Sequence, residues 1–357
     1  MSRRIPSALV AGVLVSALGA VAPAAVSAGN PLDRPLEVNL GACRVAVKGP
    51  GDTEVVVRIK SPGGAVRLTM TDVTQPSGVQ VFLCDETRIG FGDTVTARIV
   101  ATNALLGSVT VPTFSALIDR STDNVVVRGP RNTAVELDPE ECGPGLVDCS
   151  PFPGVDRTFS ATGRASFDTT SVLDLTGTDA VRMTWKEADA RVVWEIPVPH
   201  LDVRAGGRKV AGSFRSGEAI TVQLRRNGST IGQGTATATG PAIAFNASLK
   251  RRDGSRVSTA IGDRVVAPAI AANAKITVTD PSISIEDEDV VFECPANARW
   301  SLIITDGART MQQFQGTADE TGEVSIGSIF ALSPGRTVTA RCATAAGDSV
   351  KDVEIVP

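Results

Sequence analysis

The chain has no tyrosine, a single histidine and only three tryptophans in 357 residues. Each scarcity removes a class of function. One histidine, His200, excludes the two-histidine H-E-x-x-H zinc site, and a Ser-His-Asp triad would have to be built around it alone. No G-x-S-x-G elbow, Walker loop or strand-linked G-x-G-x-x-G occurs, so neither a nucleophile elbow nor a phosphate cradle is indicated. Glycoside hydrolysis needs only two carboxylates. Eleven Phe and three Trp, however, leave few aromatic platforms for a sugar. No cofactor is implied, the expectation is not an enzyme, and His200, in "PVPHLD", reads as a residue packed at a domain junction.

Long apolar runs are also missing, with one exception. Residues 1–28 combine Arg3 and Arg4, the stretch "ALVAGVLVSALGAVAPAAV" and the small residues "VSA", the pattern of a secretory signal peptide cleaved after Ala28. Its removal leaves 33 basic and 39 acidic residues, a formal −6. No basic block stands out, so nucleic acid and anionic membrane are not expected partners. No later run approaches the ~18 apolar residues of a membrane span. The expectation is a secreted, extracellular protein whose partner is a protein or glycan on a cell surface.

What the chain does have is repetition. "GDTVTAR" at 92–98 returns as "GRTVTAR" at 335–341, with degraded copies "GTDAVRM" at 177–183 and "GDRVVAP" at 262–268. Their first glycines, Gly92, Gly177, Gly262 and Gly335, are 85, 85 and 73 residues apart. Each copy is followed by an alternating segment: "SVTVP", "WEIPVP", "AKITV" and "VEIVP". The openings repeat too, as in "VAVKGPGDTEVVVRI" and "VVVRGPRNTAVELDP". Turn residues recur every 8–12 positions, in "KGPGD", "SPGG", "RNGS" and "TDGA". Four units follow, at 31–112, 113–199, 200–279 and 280–357, each expected to form seven short strands. In the last, these are "SISIE", "VVFEC", "WSLIIT", "MQQFQG", "EVSIGSI", "TVTARCA" and "VKDVEIV". Val338, Ala340 and Cys342 alternate with Thr337, Thr339 and Arg341, the mark of a half-buried antiparallel strand. The expected class is all-β, four tandem seven-stranded sandwiches joined end to end.

These units resemble the tandem immunoglobulin-like and fibronectin-III-like domains of exported bacterial proteins, over the whole chain after the leader. In the last unit Cys294 ends the second strand, Cys342 lies in the sixth and Trp300 starts the third. The resemblance implies an inter-sheet disulfide there, with the indole against it. The family's tyrosine corner has no counterpart, since Ala340 stands two residues before the second cysteine.

Six cysteines in an exported chain allow fifteen pairings. The repeat division keeps each pair within one unit: Cys43–Cys84, Cys142–Cys149 and Cys294–Cys342. No C-x-x-C points to zinc. "CGPGLVDC" at 142–149 closes a small loop, either a stapled surface loop or a rigid contact loop. Trp185 and Trp194, on adjacent strands of a hairpin, are either core filling or a contact patch for sugar or apolar surface. Asp280 and the run Glu286, Asp287, Glu288 and Asp289 are calcium candidates at a unit junction, with a solvated loop as the other reading. "ELDPEEC" at 136–142 is a second acidic cluster of the same kind. The functional expectation is a rod-like, non-enzymatic array for adhesion, envelope structure or protein binding. The alternative is a secreted carbohydrate-binding or accessory module of an extracellular enzyme system.

Overall fold

The computed structural model describes residues 32–357 except 43, 84–87, 272–273, 287–288, 308, 328 and 330–331. The leader at 1–28 and the pairing Cys43–Cys84 therefore lie outside the described residues. Every regular element described is a β-strand, as the Val, Thr and Ile content and the alternation lead one to expect.

The first seven strands are β1 (Leu36–Leu40), β2 (Arg44–Lys48), β3 (Glu54–Lys60), β4 (Val66–Val73), β5 (Val79–Leu83), β6 (Thr94–Ile99) and β7 (Leu105–Thr110). They pair in the orders β1-β2-β5 and β4-β3-β6-β7. Next come β8 (Ser115–Asp119), β9 (Asn124–Arg128), β10 (Ala134–Gly143), β11 (Val147–Pro151), β12 (Val155–Thr158), β13 (Arg164–Asp168), β14 (Ala180–Lys186) and β15 (Ala190–Pro197). Here β8-β9-β13 form one sheet, while β10, flanked by β11 and β12 on one side, pairs with β14, and β14 with β15. This stretch has eight strands instead of the expected seven, because the Cys142–Cys149 hairpin adds β11.

The third stretch holds β16 (His200–Arg204), β17 (Lys209–Ser213), β18 (Ala219–Arg226), β19 (Ser229–Thr237), β20 (Ala244–Ser248), β21 (Arg264–Val266) and β22 (Lys275–Thr277). They run β16-β17-β20 and β19-β18-β21-β22. The last holds β23 (Ser284–Glu286), β24 (Asp289–Glu293), β25 (Arg299–Asp306), β26 (Arg309–Thr317), β27 (Glu323–Ile326), β28 (Thr337–Ala343) and β29 (Ser349–Ile355), in the orders β23-β24-β27 and β26-β25-β28-β29. On β28, Val338, Ala340 and Cys342 are buried, and on β6 so are Val95 and Ala97.

The end-to-end arrangement is corrected by two parallel seams. β15 pairs with β1 from Leu36↔Ala190 to Leu40↔Trp194, and β29 pairs with β16 from Asp202↔Ser349 to Arg204↔Lys351. The final strand of one stretch thus closes the edge of the first strand of the stretch before it. This happens twice, giving continuous sheets of eight and seven strands. Each seam carries a carboxylate on its first strand and a cation on its last. Glu37 accepts from Arg191 Nε at 2.7 Å and from Arg44, and Asp202 Oδ2 lies 2.5 Å from Lys351 Nζ. Opposite charges on adjoining strands favour that pairing. Residues Arg34–Pro357 accordingly form one unit. A single hydrophobic core runs through the first two stretches, and separate cores fill the third and fourth.

The repeated phrase resolves into a turn closed by an aspartate. The carboxylates of Asp93, Asp179 and Asp263 accept from the backbone N–H three residues earlier, of Gly90, Thr176 and Ala260, at 2.8, 2.7 and 2.8 Å. All three aspartates are buried. Gly92, Gly262 and Gly335 precede the sixth strand with φ near +80°, which a glycine adopts without strain. Thr178, not Gly177, holds that place in the second stretch. Gly177 serves close approach instead: a Cβ there would lie 2.7 Å from His200 Cβ and 2.9 Å from Gly347 O.

Candidate functional site

The chemistry-bearing side chains converge where the second, third and fourth stretches meet. Arg120, in the β8–β9 turn, is buried against Asp348, in the β28–β29 turn, with Nη2 to Oδ2 at 3.1 Å. Arg120 Nη1 also donates to Pro199 O and Ala346 O, at 3.1 and 3.0 Å. Asp348 Oδ1 accepts from Leu201 N at 2.9 Å. Several donors surround the buried carboxylate, the condition under which such a pair is tolerated.

His200 opens β16 beside this pair. Val198 O lies 2.9 Å from His200 Nδ1 and 2.7 Å from Ser213 Oγ. A carbonyl only accepts, so both Nδ1–H and the Ser213 hydroxyl hydrogen point at it. This assigns the tautomer with its lone pair on Nε2. The Ser213 hydroxyl, 3.0 Å from Nδ1, is therefore not activated by the imidazole. Burial pushes the His200 imidazole below its ordinary value, so it stays neutral. Two residues on, burial would raise the Asp202 carboxyl, but the charges of Arg341 and Lys351 hold it below the usual range.

A cleft of about 680 Å³ opens here, lined by Gly145, Glu195, His200, Asp202, Arg341 and the 236–245 segment among others. Next to it, burial pushes the Glu140 carboxyl up to about 7 and the Asp138 carboxyl up to about 6. Arg182 Nη1, 3.3 Å from Glu140, opposes that rise, and the neighbouring Glu195, itself raised by burial, reinforces it. Glu195 keeps an open surface toward the cleft although its carboxyl is crowded by these neighbours. Of the "ELDPEEC" acids on β10, Glu140 and Glu136 thus lie against the cations Arg182 and Lys186, and Glu141 lies 3.7 Å from Arg299.

The Cys142–Cys149 bridge is present, and the loop that it closes is not a free contact loop. It docks on β25 and β26. Arg299 donates to Cys142 O, Ser301 Oγ to Pro144 O and Gln313 Nε2 to Asp148 Oδ1. Gly145 lets the loop lie on Arg341, whose Nη1 would be 3.0 Å from a Cβ at that position. Arg299 Nη1 also lies 3.7 Å from the buried Asp179. The corresponding aspartates of the first and third stretches find their cations locally, in Arg67 and Arg226.

Trp185 and Trp194 are corrected as a contact patch, because both are buried. Trp194 stacks on Phe114 at 6.1 Å and meets Phe91 edge-on, and its Nε1 donates to Pro241 O at 2.6 Å. Trp185 Nε1 donates to Thr133 Oγ1 at 2.9 Å. Register decides this: Met183 faces Trp194 and Trp185 faces Val192, on the core side of β14 and β15.

Among the calcium candidates, Asp287 and Glu288 lie outside the described residues. Asp280, Glu286 and Asp289 are exposed and do not gather into one ligand set, and Asp280 instead accepts from Ser282 N at 3.1 Å. The three-ligand grouping found among the described residues is Glu140, Cys142 and Cys149. Its two sulfurs are bonded to each other, which leaves one carboxylate, too few for a metal. The Cys294–Cys342 bridge is formed as well, and Trp300 pairs with Cys342 across β25 and β28 while meeting Phe292 edge-on at 5.6 Å.

No protein-family model and no curated protein matches this sequence. Solved structures do match. A tetra-tandem repeat from the extending region of a large adhesion protein is 12% identical over 90% of this chain and 99% of that one, with a TM-score of 0.18. The native conformation of E. coli alpha-2-macroglobulin is 10% identical over 90% of this chain and 29% of that one, with a TM-score of 0.19. The Group B Streptococcus pullulanase SAP is 8% identical over 48% of this chain and 24% of that one, again with a TM-score of 0.19. The chain thus spans under a third of the macroglobulin and of the pullulanase. Superpositions this loose carry no argument about function.

Proposed function

We propose that this chain is an exported, non-enzymatic scaffold of four tandem immunoglobulin-like sandwiches, at 31–112, 113–199, 200–279 and 280–357, serving adhesion, envelope structure or protein binding. The recurring split of each stretch into a three-strand and a larger sheet supports the four-domain reading. One observation carries the non-enzymatic reading: the hydroxyl and the carboxylates beside His200 are already engaged. Asp348 is held by Arg120 and Leu201 N, Asp202 by Lys351, and the Ser213 hydroxyl by Val198 O. A general base needs a proton to abstract from a positioned nucleophile, and here the neighbouring hydroxyl is already committed. The disulfides Cys142–Cys149 and Cys294–Cys342 suit an oxidising, extracellular setting.

The test begins with the secreted protein. Mass spectrometry of culture supernatant is expected to find a chain starting at Gly29, and labelled protein is expected to bind envelopes of the producing cells. Turnover of peptide, ester or glycoside substrates, lost on His200→Ala, would overturn the reading.

A further inference from the structure

The formal charge of this acidic chain is unevenly spread. Residues 200–279 hold 12 Lys and Arg against 4 Asp and Glu, whereas the rest of 29–357 holds 21 against 35. The whole-chain balance conceals one strongly basic stretch.

The fold gathers part of that charge into a built trough. β19 and β20 are outer strands of two different sheets, and they come together beyond the end of β20. Gln233 and Lys250 exchange both backbone hydrogen bonds at 2.9 Å, and Lys250 bridges onward to Arg256. Two glycines permit this approach. A Cβ at Gly232 would lie 2.4 Å from Val257 Cγ1, and one at Gly234 would lie 2.6 Å from Ser248 O. The trough that results has a volume of about 1050 Å³, and its lining includes Gln233, Asn246, Ser248, Lys250, Arg251 and Arg252.

All six are exposed, and the three cations form no ion pair among the described residues. One acid, Asp253, also lines the trough near Arg251, its Oδ1 accepting from Ser255 N and Oγ at 2.9 and 2.6 Å, so three cations stand against one carboxylate. Asn246, Ser248 and Lys250 alternate along one face, roughly 7 Å apart at strand spacing. The trough thus offers a row of amide and hydroxyl groups running into a cluster of cations. It has no aromatic side chain on which a base or a sugar ring could stack, so recognition there falls to charge and hydrogen bonding.

We propose that this trough binds an anionic polysaccharide chain. Arg251, Arg252 and Lys250 take its carboxylate or sulfate groups, the guanidinium forks matching them bidentately. Asn246, Ser248 and Gln233 take its hydroxyls. This site adjoins the junction cleft, with Asn246 lining both, and stands whether or not the chain also binds protein.

The test titrates the full chain with fluorescent polygalacturonate, dextran sulfate and neutral dextran at two salt concentrations. Both charged polymers are expected to bind, more weakly at higher salt, and neutral dextran is not. The triple variant Lys250→Ser, Arg251→Ser, Arg252→Ser is expected to weaken binding about tenfold or more, with an unchanged melt. The pair Asn246→Ala and Ser248→Ala is expected to weaken it at constant charge. A control triple, Arg215→Ser, Arg264→Ser, Lys275→Ser, removes equal charge on the same stretch away from the trough lining and is expected to have little effect. Equal loss in the control triple, or no loss in the Asn246/Ser248 pair, overturns a built site. Tighter binding of charge-matched DNA, or self-association abolished by the trough variant, overturns the ligand class.

Discussion

Arg120 and Asp348, 228 residues apart in sequence, face each other as a buried ion pair at 3.1 Å. Asp348→Asn would leave the guanidinium buried without a counter-charge, a loss of about 3–5 kcal/mol. Replacing both, as Arg120→Met with Asp348→Leu, is expected to cost less than the two single changes summed, because the uncompensated charge is gone. Urea denaturation of the three variants measures this.

Trp194 joins the cores of the first two stretches and gives its indole N–H to Pro241 O. Trp194→Ala is expected to cost about 3–5 kcal/mol. Polysaccharide binding at the β19–β20 trough should stay unchanged in that variant, since the side chain is buried elsewhere. Thermal melts and the same polymer titration check both halves of the statement.

The two bridges close loops of different length, with sequence separations of 7 and 48. In the chain-entropy model their contributions are about 2.5 and about 4 kcal/mol. Paired Cys→Ser replacement at 294 and 342 is therefore expected to lower the melt further than at 142 and 149. The short bridge has another expected effect. Without it, or with Arg299→Ala, the 142–149 loop loses its hold on β25 and becomes open to limited proteolysis.

Burial raises Glu140 to about 7 and Asp138 to about 6, with Arg182 opposing and Glu195 reinforcing the first. A carboxyl whose folded value is raised binds more protons folded than unfolded. Its contribution is complete at acid pH and declines as pH climbs from the ordinary carboxylate range to about 7. Glu140→Gln is expected to flatten that decline. Melting temperature against pH, from 4.5 to 7.5, reads the change in slope.

Much of the strand content was legible in the sequence. All seven segments named for residues 280–357 coincide with β23 to β29, because alternation on a half-buried strand writes itself into side chains. The parallel seams were not legible. They are made of backbone hydrogen bonds along strand edges, which any sequence can offer. Glu37 in "LEVNL" and Asp202 in "HLDVR" were a usable signal, each an acid between apolar neighbours, Leu36 and Val38 or Leu201 and Val203, facing a seam cation. The repeated phrase misled in one detail. Glycine drew attention to 177, where the equivalent turn is closed by Asp179, and the glycine is kept for contact with Gly347. At the junction the sequence located His200 correctly between stretches, but Arg120 and Asp348 lie too far apart in the chain for any local pattern to join them. The two tryptophans were ambiguous because only register decides their face.

The parallel seams also order events in time. Synthesis from the N-terminus delivers β1 long before β15, and β16 long before β29. Until Ala190–Trp194 arrives, the edge of Leu36–Leu40 has no neighbour on that side, and the same holds for Asp202–Arg204 until Ser349–Lys351 follows. An uncovered edge is a template for foreign strands. The two seams thus close at different points of synthesis, one with β15 and one with β29. A chain interrupted between them would leave the Asp202–Arg204 edge uncovered.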